Sequence, residues 1–168
     1  DLSYISSVLF TLFVFVLIIN AYNLIDGVDG LAGSYGLIVS LFFGVYFYLI
    51  DARDLALVSF ALVGALLPFL YYNFSNTRKI FMGDTGSMLV GFLLAFQAVS
   101  FLNVQESLDV YTMANAPVIV LAVLGFPLID TLRVFVVRMS KKQSPFTADK
   151  NHIHHRLLLL GFKHWQIA

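Results

Sequence analysis

Five apolar stretches, each long enough to cross a bilayer, constrain this chain more than any motif does. They run Tyr4–Asn20, Ser34–Ile50, Leu55–Tyr72, Ser87–Leu102 and Met113–Val137, near the ~17–25 residues that a transmembrane helix needs. Backbone groups in hydrocarbon find no water, so a spanning segment must satisfy them as a helix or within a closed barrel. Barrel strands alternate over short segments; runs such as LFVFVLII and LVGFLLAF do not. The expected fold is therefore all-α: a polytopic transmembrane helical bundle of about five spans, read as one domain over residues 1–168. Pro117 and Pro127 in the last and longest stretch predict a kink. Composition agrees, with 60% hydrophobic and 12% charged residues, against roughly one half and one quarter in soluble domains. Cysteine is absent, which excludes a disulfide framework and a thiolate metal centre. The chain opens on Asp1 without an initiator Met or a basic leader and ends on Trp165-Gln-Ile-Ala168, so it reads as an internal piece of a longer chain.

Five crossings fix which connections share a side. The side that holds Asp1 also receives Asp51–Asp54 and the loop near Gln105–Asp109, where Arg53 is the lone basic residue. The other side receives Arg78, Lys79, Arg138, Lys141, Lys142, Lys150, Arg156 and Lys163, with Arg133 near the end of the fifth stretch. That excess of Lys and Arg marks the second side as cytoplasmic. Three polar segments fall on it as well: NAYNLIDGVDGLAG (Asn20–Gly33), NFSNTRKIFMGDTGS (Asn73–Ser87) and SPFTADKNHIHHR (Ser144–Arg156).

Each segment has its own chemistry. Asn20, Asn23, Asp26 and Asp29 recur every third residue, interleaved with Gly27, Gly30, Gly33 and Gly36. On an ideal helix that spacing drifts around the circumference, so the segment aligns its polar groups only by tightening or unwinding, and Gly27 and Gly30 favour unwinding. Unwound backbone at membrane depth is tolerated where it lines a wet cavity. With no Lys or Arg adjacent in sequence, the two carboxylates call for a cation, a metal or ligand hydroxyls; the plain alternative is helix capping and a glycine turn. In FMGDTGS, Asp84 lies between small residues, suited to a hard cation such as Mg²⁺, which takes one or two carboxylates plus waters and phosphate oxygens. Asp84 or Ser87 can equally be the N-cap of the fourth helix, and Phe81 can stack on a planar ring or serve as an interfacial anchor. His152, His154 and His155, beside Lys150 and Arg156, form a compact donor group. Adjacent histidines lack the i, i+4 spacing of a helical zinc site, and clamping a diphosphate suits them better; a basic tail on anionic lipid is the alternative. Asp130 and Arg133, three apart, read as a structural ion pair, since a lone charge near the bilayer centre costs about 2.5–3.5 kcal/mol.

Carboxylates for a divalent cation, cationic donors for phosphates and amides at one membrane face suit transfer of a phosphate-linked group from a soluble donor to a lipid. In order and spacing, NAYNLIDGVDGLAG, FMGDTGS and HIHHR resemble the polyprenyl-phosphate N-acetylhexosamine-1-phosphate transferase family over essentially the whole chain. The tail is more similar to the O-antigen and teichoic-acid branch than to the peptidoglycan branch, whose three consecutive histidines are interrupted here by Ile153. The resemblance implies a Mg²⁺-dependent phosphoglycosyltransferase in the bacterial cytoplasmic membrane, with its active face cytoplasmic. It would move an N-acetylhexosamine 1-phosphate, with N-acetylglucosamine expected, from a UDP-sugar to undecaprenyl phosphate and release UMP. Carried over by position, Asp84 is the metal ligand, and Asp26, Asp29, His154 and His155 are catalytic. Asn20, Asn23, Asn73, Phe81, His152 and Arg156 bind substrate, with Asn73 and Phe81 beside the uracil. The family's Asp-Asp pair from an earlier cytoplasmic loop is missing and is expected before Asp1, so this polypeptide alone is expected to be inactive. No nucleic-acid partner is expected. A homodimer is compatible with the small-residue spacing from Gly27 onward, although the site explains that spacing better. The competing functions are a divalent-cation transporter, which would place ligands near the midplane on broken helices, and a non-catalytic lipid-binding scaffold.

Overall fold

The computed structural model describes residues 3–105, 112–113, 115–140 and 153–168, with only the backbone of His154, His155 and Arg156. Every element among them is helical: α1 (Tyr4–Ile25), α2 (Leu31–Leu49), α3 (Arg53–Asn73), α4 (Gly83–Gln105), α5 (Ala116–Val123), α6 (Gly125–Ser140), α7 (Ile153–Leu159) and α8 (His164–Ile167). The first four are long and apolar enough to cross a membrane, and α5 with α6 forms a bent pair that makes a fifth crossing if it is one span. The chain is a multi-pass membrane protein. On α1, Leu9, Phe10, Phe13 and Val16 are exposed while Ile18, Tyr22 and Ile25 are buried. A helix apolar on all sides, with one face left outward, faces lipid as well as protein.

α1 runs past Asn20 to Ile25 instead of stopping there. Asn20 costs the helix little because its Nδ2 donates to the Val16 carbonyl one turn back, at 2.7 Å. α4 starts at Gly83 rather than Ser87, with Asp84 in its first turn. Ser87 is therefore not the N-cap. It is buried inside the helix, and its hydroxyl lies 3.0 Å from the Gly83 carbonyl.

α2 packs on α3, α1 on α4, and α6 against α1. The α1–α4 contact is close at Gly91, where a Cβ would stand 3.1 Å from the Ile19 Cα; small residues let backbones approach in this way. Tyr46, Phe43 and Phe101 fill the core between α2 and α4, with Tyr46 edge-on to Phe101 at 4.7 Å.

The expected kink falls between α5 and α6, with a bend of 71°. Pro117 sits at the start of α5, where a missing N–H is harmless. Pro127 is the residue that breaks the ladder, since its absent N–H would have bonded the Val123 carbonyl. That carbonyl is claimed instead by the Tyr35 hydroxyl of α2, at 2.6 Å. Tyr35→Phe is expected to leave it unsatisfied and cost about 1–3 kcal/mol. Thermal unfolding in detergent measures the loss, and an unchanged midpoint would contradict the assignment.

Candidate functional site

The site lies where the polar ends of α1, α3 and α4 meet. α1 is capped at its C-terminal end by Asp26, whose backbone N–H donates to the Asn23 carbonyl at 3.3 Å, and residues 26–30 form the non-helical turn into α2. Gly30 closes that turn with φ +81°, a left-handed conformation that glycine adopts without strain. Its N–H donates to Asn73 Oδ1 at 2.6 Å, and Asn73 Nδ2 donates to the Ile80 carbonyl at 2.8 Å. The buried Asn73 thus joins the DGVDG turn to the 74–82 loop and presents both to one cavity. Ser87 donates to Asn23 Oδ1 and locks α1 to α4 beneath it.

The cavity is about 270 Å³ and is lined by Asp26, Gly27, Val28, Asp29, Asn73, Phe81, Met82, Gly83 and Asp84. Five of the residues singled out in the sequence, Asp26, Asp29, Asn73, Phe81 and Asp84, therefore meet at one place. Phe81 is 75% exposed at the rim, with Lys79 Nζ 5.3 Å from its ring centre. Asn23 stands just below, held by Ser87. Asn20 is exposed on α1 with its amide turned onto its own helix, and it does not line the cavity. His152 lies outside the described residues, as do the side chains of His154, His155 and Arg156; their backbone belongs to α7.

The two outer carboxylates differ. Asp29 has a basic partner after all: Lys79 Nζ donates to its Oδ2 at 2.5 Å. His164 Nδ1 lies 2.8 Å from the same oxygen. Neither base is adjacent in sequence: Lys79 is 50 residues away and His164 is 135 away. Asp26 has no such partner among the contacts described. Burial pushes its carboxyl up to about 6, and the charges of Asp84 and Asp29 push the same way. A folded-state value above the unfolded one (about 3.9) means that the fold prefers the protonated form. Its contribution is greatest below about pH 4 and is lost as pH rises through about 6. In a chelator near neutral pH, Asp26→Asn is therefore expected to unfold at a higher temperature than the parent chain. The gap should close as pH falls through 6, and melting curves across that window would reveal a gap of the wrong sign.

The carboxylates of Asp26 and Asp84 face the same small polar space, and the like-charge effect on Asp26 makes a cation favourable there. Among the described residues, no three His, Asp or Glu side chains converge as a complete metal cage. That donor set fits magnesium, which keeps waters and phosphate oxygens around one or two carboxylates. It does not fit a closed tetrahedral zinc site. Lys79, His164 and Ser87 join the site as well; Lys79 and Ser87 stand within the polar segment Asn73–Ser87, whereas nothing in the sequence marks His164.

The family model for glycosyl transferase family 4 matches residues 1–102, which hold the DGVDG turn, Asn73, Phe81 and Asp84. This chain belongs to glycosyl transferase family 4. Similar curated proteins include the decaprenyl-phosphate N-acetylglucosaminephosphotransferase of Mycobacterium tuberculosis, 39% identical over 176 residues, covering 97% of this chain and 43% of that protein. The protein of the same name from Mycolicibacterium smegmatis is 40% identical over equal coverage. The undecaprenyl-phosphate alpha-N-acetylglucosaminyl 1-phosphate transferase of Escherichia coli is 34% identical over 155 residues, 90% of this chain and 41% of its own length. The family 4 chain thus spans about two fifths of the length of these relatives. Within that span it carries the cavity and the helices that frame it.

Proposed function

We propose that the protein to which this family 4 chain belongs transfers N-acetylglucosamine 1-phosphate from its UDP-sugar to a polyprenyl phosphate, undecaprenyl phosphate in the first instance, and releases UMP. The observation that carries the reading is the meeting of Asp26 and Asp84 in one polar cavity with Asn73 and Phe81, at the end of a membrane-spanning bundle. In the reaction, an oxygen of the lipid phosphate attacks the sugar-bearing phosphorus, and the bond from that phosphorus to the oxygen of UMP breaks. Magnesium, held by Asp84 with Asp26, would neutralise charge on the diphosphate. Asp84 and Asp26 would meet the diphosphate through that cation, since two bare carboxylates repel an anion. The exposed ring of Phe81 takes the uracil, beside Asn73, whose amide holds the Gly30 N–H and the Ile80 carbonyl. His154 and His155, with His152 and Arg156, donate to phosphate oxygens, as charge-assisted donors do well in a partly dry site. Lys79 and His164 hold Asp29, and so the turn, in place. The Lys and Arg bias supports a cytoplasmic position for this face, and the bacterial relatives support the cytoplasmic membrane.

The test is incubation of the full-length protein with radiolabelled UDP-N-acetylglucosamine, Mg²⁺ and undecaprenyl phosphate, followed by lipid extraction. A labelled lipid with stoichiometric UMP is the expected result. Cation flux into liposomes without a labelled lipid would overturn the proposal in favour of transport. The gathering of acidic side chains at one end of the bundle counts against that outcome, because transporters bind near the midplane.

A further inference from the structure

The ion pair on α6 has a partner that an i, i+3 pair does not need. Asp130 is fully buried. Its Oδ1 accepts from Arg133 Nη2 at 3.0 Å and Nε at 3.3 Å. The same oxygen accepts the backbone N–H of Ile153, also at 3.0 Å. Ile153 opens α7, and the next two residues of that helix are His154 and His155. The first N–H groups of a helix have no partner within it. Here one is satisfied from a different helix, across 23 residues of sequence. The far end of the same segment is also tied down, since His164 at the start of α8 lies against Asp29 in the cavity wall. The histidine-bearing turn is thus part of a strap fastened at α6 on one side and at the acidic turn on the other. Burying a carboxylate is costly unless its oxygens are well bonded, and the Ile153 N–H is one of the bonds that meets that need.

We infer that Asp130 is a positioning residue: it latches the start of α7 and so sets where the turn that carries His154 and His155 stands relative to the acidic cavity. The inference deepens the transferase reading above and rests on it for the effect on rate. The latch itself is a contact that can be measured separately. A misplacement of about 1 Å at a group that meets the reacting phosphates can cost ~10²-fold in rate.

The experiment uses the full-length protein in a cysteine-free background. Asp130→Leu combined with Arg133→Met replaces both members of the ion pair with apolar side chains, so that neither charge is left facing the other's vacancy. Asp130→Asn keeps an oxygen for the Ile153 N–H. The double variant is expected to unfold near the parent temperature, to lose about 10–100-fold in kcat and to keep its KM for the UDP-sugar. Asp130→Asn should recover most of the loss. In a His154→Ala background, the double variant should cost little more, because the latch acts through the histidine turn. A second readout is maleimide labelling of Leu158→Cys, a partly buried position on α7 that packs against the core. Removing the latch should speed that labelling several-fold. Parent-level kcat in the double variant, losses that multiply with His154→Ala, or an unchanged labelling rate would each overturn the inference. If the full-length protein makes no labelled lipid at all, the transferase reading fails, and the labelling rate alone still decides the latch.

Discussion

Asp84→Asn in the full-length protein is expected to lower the rate of labelled-lipid formation by about 10²–10³-fold, the usual cost of deleting one preorganised electrostatic group. The substitution keeps the size and shape of the side chain. Asp84 is exposed at the first turn of α4, where a negative charge sits well against the helix dipole. Stability should therefore move by no more than the roughly 1 kcal/mol that a helix-terminal carboxylate contributes. Rate and stability then separate two roles. If Asp84 only tends the end of α4, the melting temperature drops slightly and transfer is untouched. If it serves the diphosphate, transfer collapses while the melting curve stays near the parent. Initial rates and thermal unfolding on the same purified sample make the distinction.

The second large effect is on folding. Gly30→Ala is expected to disable the site by breaking its frame. An alanine there meets two costs: the left-handed backbone at φ +81°, about 1–2 kcal/mol for a residue with a Cβ, and overlap with Phe74, whose Cζ would lie 1.9 Å from the new Cβ. Phe74 is 42% exposed, so its ring can swing aside and the overlap adds less than the ~1–3 kcal/mol of overpacking in a core. The turn would shift to escape, and the Gly30 N–H would leave Asn73. Both stability and transfer should fall. Gly30→Ala with Phe74→Leu should regain the part due to overlap and none of the part due to φ. Full rescue, or no effect of the single substitution, would contradict this account of the turn.

Much of the architecture was legible because membrane residence leaves so few options. Apolar runs of the right length that lack strand alternation, with backbone groups that must bond internally, fold as helices, and all four long spans stand within a few residues of their expected positions. The boundaries moved where side chains repaired a local problem out of view. Asn20 turned its amide onto Val16 and let α1 continue. Pro127 broke the last apolar stretch, as the residue type demands, but the Tyr35 hydroxyl that makes the break tolerable lies on a helix 88 residues from the Val123 carbonyl it satisfies. The site was legible in outline for a related reason. Three polar segments on one side of an apolar chain have little cause to be there except to meet, and the resemblance named their chemistry. What the sequence could not supply was partnership at long range. Asp26 and Asp29 look alike in DGVDG, yet Lys79 and His164 hold Asp29 while Asp26 is left half-buried beside Asp84. Asp130 read as half of a local ion pair, and its bond to Ile153 is visible only once α7 is placed.

The central claim is that the carboxylates of Asp26 and Asp84 hold a divalent cation against the donor's diphosphate. Electron paramagnetic resonance of Mn²⁺, standing in for Mg²⁺, tests it on the full-length protein with UDP present. One bound Mn²⁺ with coupling to phosphorus is expected, weakened by Asp26→Asn and lost in Asp84→Asn. Mn²⁺ bound with the same affinity and the same phosphorus coupling in both variants would contradict it.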